Sequence, residues 1–505
     1  MRKASLIKEC ERCLTELGNT IVEKIIPINF DTLDLLSDFT WQEKIKLYGL
    51  STSGRKNNTF ICWPLFFDDD ASDRQNIIIN VCACCFGALS LNLLLENSQS
   101  KWGPLAGYIQ QAINSLVILQ STDGSWPSAW ELAGNTLVSG NVNQTTLSIS
   151  TLIRCGFFAC NSTKGDNCTT YQQRKERYAL LYRSILWLMN AEHLSLPVYN
   201  TGWYYSSVDT DKVSTMITSY VFDVVVKVIY LMETNREVKE YFLSQNNGIS
   251  SALRNLVMRV RHFCDIKQNS DGGYSRTYQK GSLTESNAID TCYAINMLLL
   301  CYQSDKQQTE ILTKIEKALV YIKRSYASQI KKPNCFVRYP FNETRRALKG
   351  DKSIQVNRIE EYEIFPYPLF ISSILSSMQC GEVSMNRRWF GKTVFEQFLI
   401  LLGRQQQNNN GLWIVLGNRP SLGMLYPVYA QYYTLYAARQ VLEKNDYLVL
   451  HRHVDKKMIG GLVTLSIILL IGFQFFFNDA LFTVISGIAT ALVSFLINTL
   501  SRKSK

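Results

Sequence analysis

The first twenty residues, MRKASLIKECERCLTELGNT, lack the apolar run that a secretory leader needs, because Lys8, Glu9, Glu11, Arg12 and Glu16 interrupt it. A chain without a signal peptide is expected. Histidine is scarce, limited to His193, His262, His451 and His453, so few imidazoles are on hand for a metal site. RGG tracts, zinc-finger spacings and dense Lys/Arg helices are missing. The net charge of +11 is instead spread along the chain, which argues against a nucleic-acid partner. The fourteen cysteines lack loop-stapling spacings and fall in apolar stretches such as VCACCFGAL, residues 81–89. Buried, reduced thiols and a reducing compartment are expected.

Basic residues concentrate only near the end, as His451, Arg452, His453, Lys456 and Lys457, then Arg502, Lys503 and Lys505. Between these clusters lie two uncharged runs, residues 458–477 and 481–500. At ~1.5 Å per residue each spans ~30 Å, the thickness of a bilayer's hydrocarbon core. With only Asn478, Asp479 and Ala480 between them they read as a transmembrane hairpin, with the lipid bilayer as partner. Basic flanks on both sides place the bulk of the chain and its C-terminus in the cytoplasm, at the cell inner membrane. In the second run Ser486, Thr490, Ser494 and Asn498 recur every four residues beside Gly487 and Ala491. Such a polar stripe either joins copies of the chain into a homo-oligomer or packs on the first run. A third apolar run, residues 77–95, is broken by Asn80, Ser90 and Asn92 and reads as a buried helix.

A seven-residue frame occurs three times: QSTDGSW (Gln120 to Trp126), QNSDGGY (Gln268 to Tyr274) and QNNNGLW (Gln407 to Trp413). Fainter echoes surround Trp63, Trp203 and Tyr339, so an aromatic recurs about every seventy residues, six times in all. Before each aromatic runs an amphipathic stretch and after it a more apolar one, such as residues 288–301. Alternating half-exposed and fully buried helices predict an all-α fold, an (α/α)6 toroid of six helix pairs. The expected organisation is a helical extension over 1–40, the toroid over 41–450 and the basic-flanked hairpin over 451–505.

The Q-x-x-[DN]-G-x-[WY] frame resembles the QW motif of the terpenoid cyclase and protein prenyltransferase superfamily, the squalene cyclase-like repeat, over about residues 40 to 445. The resemblance implies the toroid and makes the frame a brace between an outer helix and the loop leading inward. Cyclase chemistry would need a D-x-D-D-T acid. The nearest match, NAIDT at 287–291, keeps Asp290 as the one catalytic candidate, with Ile289 where an acid should stand. Prenyltransferase chemistry would need zinc, for which Asp290 and Cys292 supply two ligands, while Ala430 or Gln431 falls where a histidine should be. No metal or other cofactor is therefore expected. Tyr362, Tyr426, Tyr429 and Tyr433 are candidates to line a central pocket. Arg338, Arg345 and Arg346 favour an anionic ligand there, a prenyl lipid being the other choice. Two functions follow: a catalytically silent toroid that senses a ligand or partner and perturbs the membrane, as an antiviral defence effector does, or a membrane-bound prenyltransferase or terpene cyclase.

Overall fold

A computed structural model describes residues 3–28, 41–50, 60–64, 78–127, 129–131, 136–137, 140–159, 170–192, 201–204, 213–278, 285–304, 309–326, 337–346, 353–362, 366–383, 389–396, 415–416, 424–425 and 428–447. Two compact units divide the chain, 1–448 and 449–505. The proposed hairpin, with Ser486, Thr490, Ser494 and Asn498, lies outside the described residues, as do Gln407, Trp413 and Tyr426.

In chain order the helices are α1 (Lys3–Glu23), α2 (Trp41–Tyr48), α3 (Val81–Asn97), α4 (Gln99–Trp102), α5 (Leu105–Ile118), α6 (Val142–Arg154) and α7 (Tyr171–Asn190). They continue with α8 (Thr215–Thr234), α9 (Arg236–Gln245), α10 (Ile249–Lys267), α11 (Ala288–Ser304), α12 (Thr309–Ser325), α13 (Pro366–Gln379) and α14 (Val428–Glu443). Six of them, α3, α6, α8, α11, α13 and α14, pack each on the next, and α14 packs back on α3. This is the closed inner ring of an (α/α)6 toroid. Outer helices alternate with it: α1 packs on α3 and α14, α5 on α3, α7 on α6, α10 on α8 and α12 on α11. Thus the segment read as an N-terminal extension supplies an outer helix.

Side-chain patterning separates the two layers. In α12 the buried residues Ile311, Ile315, Ala318, Leu319 and Ile322 recur at helical spacing, one apolar face on an otherwise charged helix. In α3, residues 83–91 are buried without interruption, since neighbours cover it on every side. Among the described residues one helix, α8, is long and apolar enough to cross a membrane. More than half of its apolar window is buried, as an inner helix requires.

Inner helices start sharply. Asn80 caps α3 by accepting from Ala83 N–H (3.0 Å), and Ser214 caps α8 by accepting from Ile217 N–H (3.4 Å). Short antiparallel ribbons lace the entries: residues 213–214 pair with 277–278, and 286–287 pair with 274–275. A longer ribbon, Val337–Arg346 with Ser353–Tyr362, is inserted between α12 and α13. It carries the backbone of Tyr339, Tyr362, Arg338, Arg345 and Arg346.

The repeated frame is the fastening between pairs. Gln120 Nε2 donates to Ser184 Oγ (2.7 Å) and Leu180 O (3.3 Å) on the next outer helix, α7. Gln268 Nε2 likewise donates to Lys314 O (2.9 Å) on α12. Reaching across to the next pair, rather than stacking on its own aromatic, is the amide's observed role. The aromatic then ties back to the outer helix just left: Trp126 Nε1 donates to Leu116 O (2.7 Å), Trp203 Nε1 to Leu188 O (2.7 Å) and Tyr274 Oη to Cys264 O (2.8 Å). Trp63 does the same to Ile21 O (2.9 Å). All four rings are fully buried.

Candidate functional site: the axial cavity

The same fastening sets the height of the inner helices. Thr145, Thr218 and Thr291, each the fourth residue of its helix, accept through Oγ1 from the backbone N–H of Trp126 (2.9 Å), Trp203 (3.3 Å) and Tyr274 (2.9 Å). Helices hung from equivalent points present equivalent positions at the same level. Counted from the first residues of α3, α6, α8, α11 and α14, the sixth positions are Phe86, Leu147, Tyr220, Tyr293 and Tyr433, while α13 is offset and lines the cavity through Leu369, Ser372 and Ser376. The ninth are Leu89, Ser150, Asp223, Asn296 and Tyr436. Positions six and nine share one helix face, and all ten residues line a cavity of about 300 Å³ on the ring axis.

The sixth-position layer is aromatic apart from Leu147. Tyr220 Oη shares hydrogen bonds with Tyr293 Oη (3.0 Å) and Tyr433 Oη (2.5 Å), and the Phe86 ring lies 5.7 Å from that of Tyr433. Burial first, then the neighbouring phenols, push Tyr220 and Tyr433 well above the ordinary phenol range, so this layer is uncharged.

One turn further the wall becomes charged. Lys227 pairs with Asp223 and donates to Ser150 Oγ (3.1 Å), while Arg154 Nη1 donates to Tyr432 Oη (2.9 Å). Burial raises the Asp223 carboxyl, but Lys227 and Arg154 outweigh it and hold it below the usual range. Burial and then the Arg154 charge pull Lys227 down to about 8, against the opposing pull of Asp223. Asp223 and Lys227 keep 32% and 21% side-chain exposure, enough for solute in the cavity to reach this level.

The cavity extends to the C-terminal ends of α6, α11, α13 and α14, where Arg154, Gln303, Gln379 and Lys444 stand. Gln440 also lines it and is 4% exposed. Its Nε2 donates to Tyr436 Oη (3.1 Å), and its Oε1 has no hydrogen-bond partner among the described residues. That oxygen is an unmet acceptor buried just behind the cavity wall.

Of the pocket residues expected from sequence, Tyr433 lines the cavity. Tyr429 lies outside the lining, its ring 6.3 Å from that of Phe86. Asp290 and Cys292 are fully buried in the first turn of α11, away from the cavity lining. Burial pushes the Cys292 thiol up to about 12, which opposes the thiolate a metal needs. Groups of three or more possible metal ligands are not found among the described residues. Thr291, the other survivor of the acid motif, is a fastening. Sequence reasoning missed Tyr220, Tyr293, Asp223, Arg154, Lys227 and Gln440. A signal was present: Thr218-Ser219-Tyr220 and Thr291-Cys292-Tyr293 set an aromatic two residues beyond each fastening threonine.

No family model and no curated protein matches the sequence. Solved structures that match include a family 76 glycoside hydrolase from a bovine Bacteroides thetaiotaomicron strain, at 10% identity and TM-score 0.49, over 86% of this chain and 78% of that one. Another is a D-mannose isomerase, at 10% identity and TM-score 0.48, over 80% and 96%. A third is an unsaturated glucuronyl hydrolase specific for heparin, at 11% identity and TM-score 0.45, over 88% and 99%. These matches correct the relationship inferred from the repeat. By name they are a glycoside hydrolase, an isomerase and a glucuronyl hydrolase, none a terpenoid cyclase or protein prenyltransferase; that kinship is withdrawn, together with the QW assignment and the cyclase, transferase and membrane-effector functions built on it. At such identities and scores the likeness concerns architecture, and no activity passes through it.

Proposed function

We propose that the protein binds a compact hydroxylated molecule, about the size of one sugar, in the axial cavity of the ring. The observation that carries this is the layered wall: an uncharged, largely aromatic floor for a C–H face, and above it Ser150, Asp223 and Asn296 for hydroxyl groups. About 300 Å³ suits a small ligand and is too little for a long prenyl chain. The described lining has one carboxylate, Asp223, held ionised by two cations. Hydrolysis by a carboxyl pair, with one acid kept protonated, is not what that set provides. Binding is the reading the geometry supports. We further place the ring at a membrane through residues 458–477 and 481–500, on the strength of their uncharged length and basic flanks.

Calorimetric titration of the full chain in detergent with neutral hexoses of gluco, manno and galacto configuration, myo-inositol and farnesol tests the binding. Saturable binding of at least one polyol, abolished by Ser150→Phe in a protein that still melts cooperatively, is expected. Binding of farnesol alone would sink the proposal. For the membrane, alkaline carbonate should leave the full chain in the pellet and release a chain ending at Leu448.

A further inference from the structure

The outer half of the cavity holds more positive than negative charge. Arg154, Lys227 and Lys444 stand at or beside its wall against the single carboxylate of Asp223, which Lys227 engages. Arg154 hydrogen-bonds a phenol, Tyr432, and Lys444 a hydroxyl, Ser376 (3.4 Å). Two carboxylates at that end of the ring, Glu96 and Glu443, are both engaged by Arg439. Arg154 and Lys444 thus line the cavity with no carboxylate within 4 Å among the described residues, Arg154 feeling Asp223 and Lys444 feeling Glu443 only at longer range. Cations gathered along a concave wall attract an anion. Asp223, ionised at neutral pH, repels one from the deeper level and so confines it to the rim.

Resting on the binding proposed above, we infer that the ligand is an acidic polyol. Its carboxylate or phosphate lies at the mouth against Arg154 and Lys444, and its hydroxyls reach inward to Asp223 and Asn296. Charge-assisted hydrogen bonds at the rim give affinity, and the inner groups select a hydroxylated body over a simple anion. The competing role for the two cations is to offset the partial negative charge of the helix C-termini that end there. In that case a ligand's charge is indifferent.

Titration of the full chain in detergent with each neutral hexose, its uronate, its 6-phosphate and inorganic phosphate separates these roles. At low salt the best acid should bind about tenfold tighter than its neutral parent. That advantage should shrink as sodium chloride rises. Uronate against 6-phosphate tells which acid is used. Arg154→Gln and Lys444→Gln should each narrow the ratio of acidic to neutral affinity, with melting curves confirming the fold. Equal binding of acid and parent overturns the inference and leaves the proposed function standing. Inorganic phosphate binding as tightly as the sugar phosphate overturns it by removing the polyol. Failure of every hexose and every acid overturns both.

Discussion

Gly124 stands in the turn of the first frame at φ +95°, and Gly272 stands in the second at +91°. Neither can carry a side chain, for two reasons that add. The backbone is left-handed, and a Cβ at Gly124 would lie 2.7 Å from the carbonyl carbon and oxygen of Arg183, one at Gly272 2.5 Å from Lys317 O. Contact with backbone cannot be relieved by turning a rotamer. Gly124→Ala should therefore destabilise by about 2 to 4 kcal/mol, read as a lowered urea midpoint at unchanged slope. Gly156 is a control: φ is +77°, but nothing lies within 4 Å of its Cβ position, so Gly156→Ala should cost only the backbone strain, about 1 kcal/mol.

At the scale of elements, the fastening does two jobs that mutation can separate. Trp126 fills the space beneath its loop with no exposed surface, so Trp126→Ala should cost about 3 to 5 kcal/mol through the void it leaves. Gln120→Ala removes one donor shared among Gly124 O, Leu180 O and Ser184 Oγ. A loss of about 1 to 3 kcal/mol is expected, measured by chemical denaturation. These helices were legible in sequence because their apolar spacing is strong: the stretch read as residues 288–301 is α11, and the run over 77–95 is the buried α3. The frame gave the ring for the same reason. The cavity was not legible, because Asp223, Lys227 and Arg154 are ordinary helix residues in sequence. They become a site only when helices from distant parts of the chain are hung at matched heights. Reading the frame as a family signature failed for a related reason: a brace recurs wherever helix pairs must close a ring, whatever chemistry the ring serves.

Across the whole molecule the thiols set an alkaline limit. Burial raises Cys10, Cys13, Cys62, Cys82, Cys84, Cys85, Cys155 and Cys292, and Cys264 is raised by its hydrogen bond to Cys301 and then by burial. A thiol raised on folding contributes stability that is complete below its unfolded value, about 8.5, and is lost as pH climbs toward the folded value. The lysines act oppositely. Burial and then Arg183 lower Lys44 to about 8, and burial and then Arg154 lower Lys227 to about 8, so their penalty is relieved between pH ~8 and ~10.4. Lys267 and Lys444, lowered mainly by burial, add to the same side. Nine thiols outweigh four lysines. The melting temperature should fall from pH 8.5 to 10.5 under reducing conditions, and a rise over that interval would refute the balance.

The first and last helices of the ring touch: α1 packs on α14, and Ile21, near the end of α1, meets Trp63 on the side where α3 begins. Outer and inner helices alternate in direction, so Lys3 starts on the side where α14 finishes. The order in which the six pairs are strung is therefore a choice of where the thread is cut, and stability should be nearly indifferent to it. A permuted ring beginning at Arg236, with Tyr447 joined to Lys3 by a short glycine-serine linker, should melt as one cooperative unit close to the unpermuted 1–448 chain.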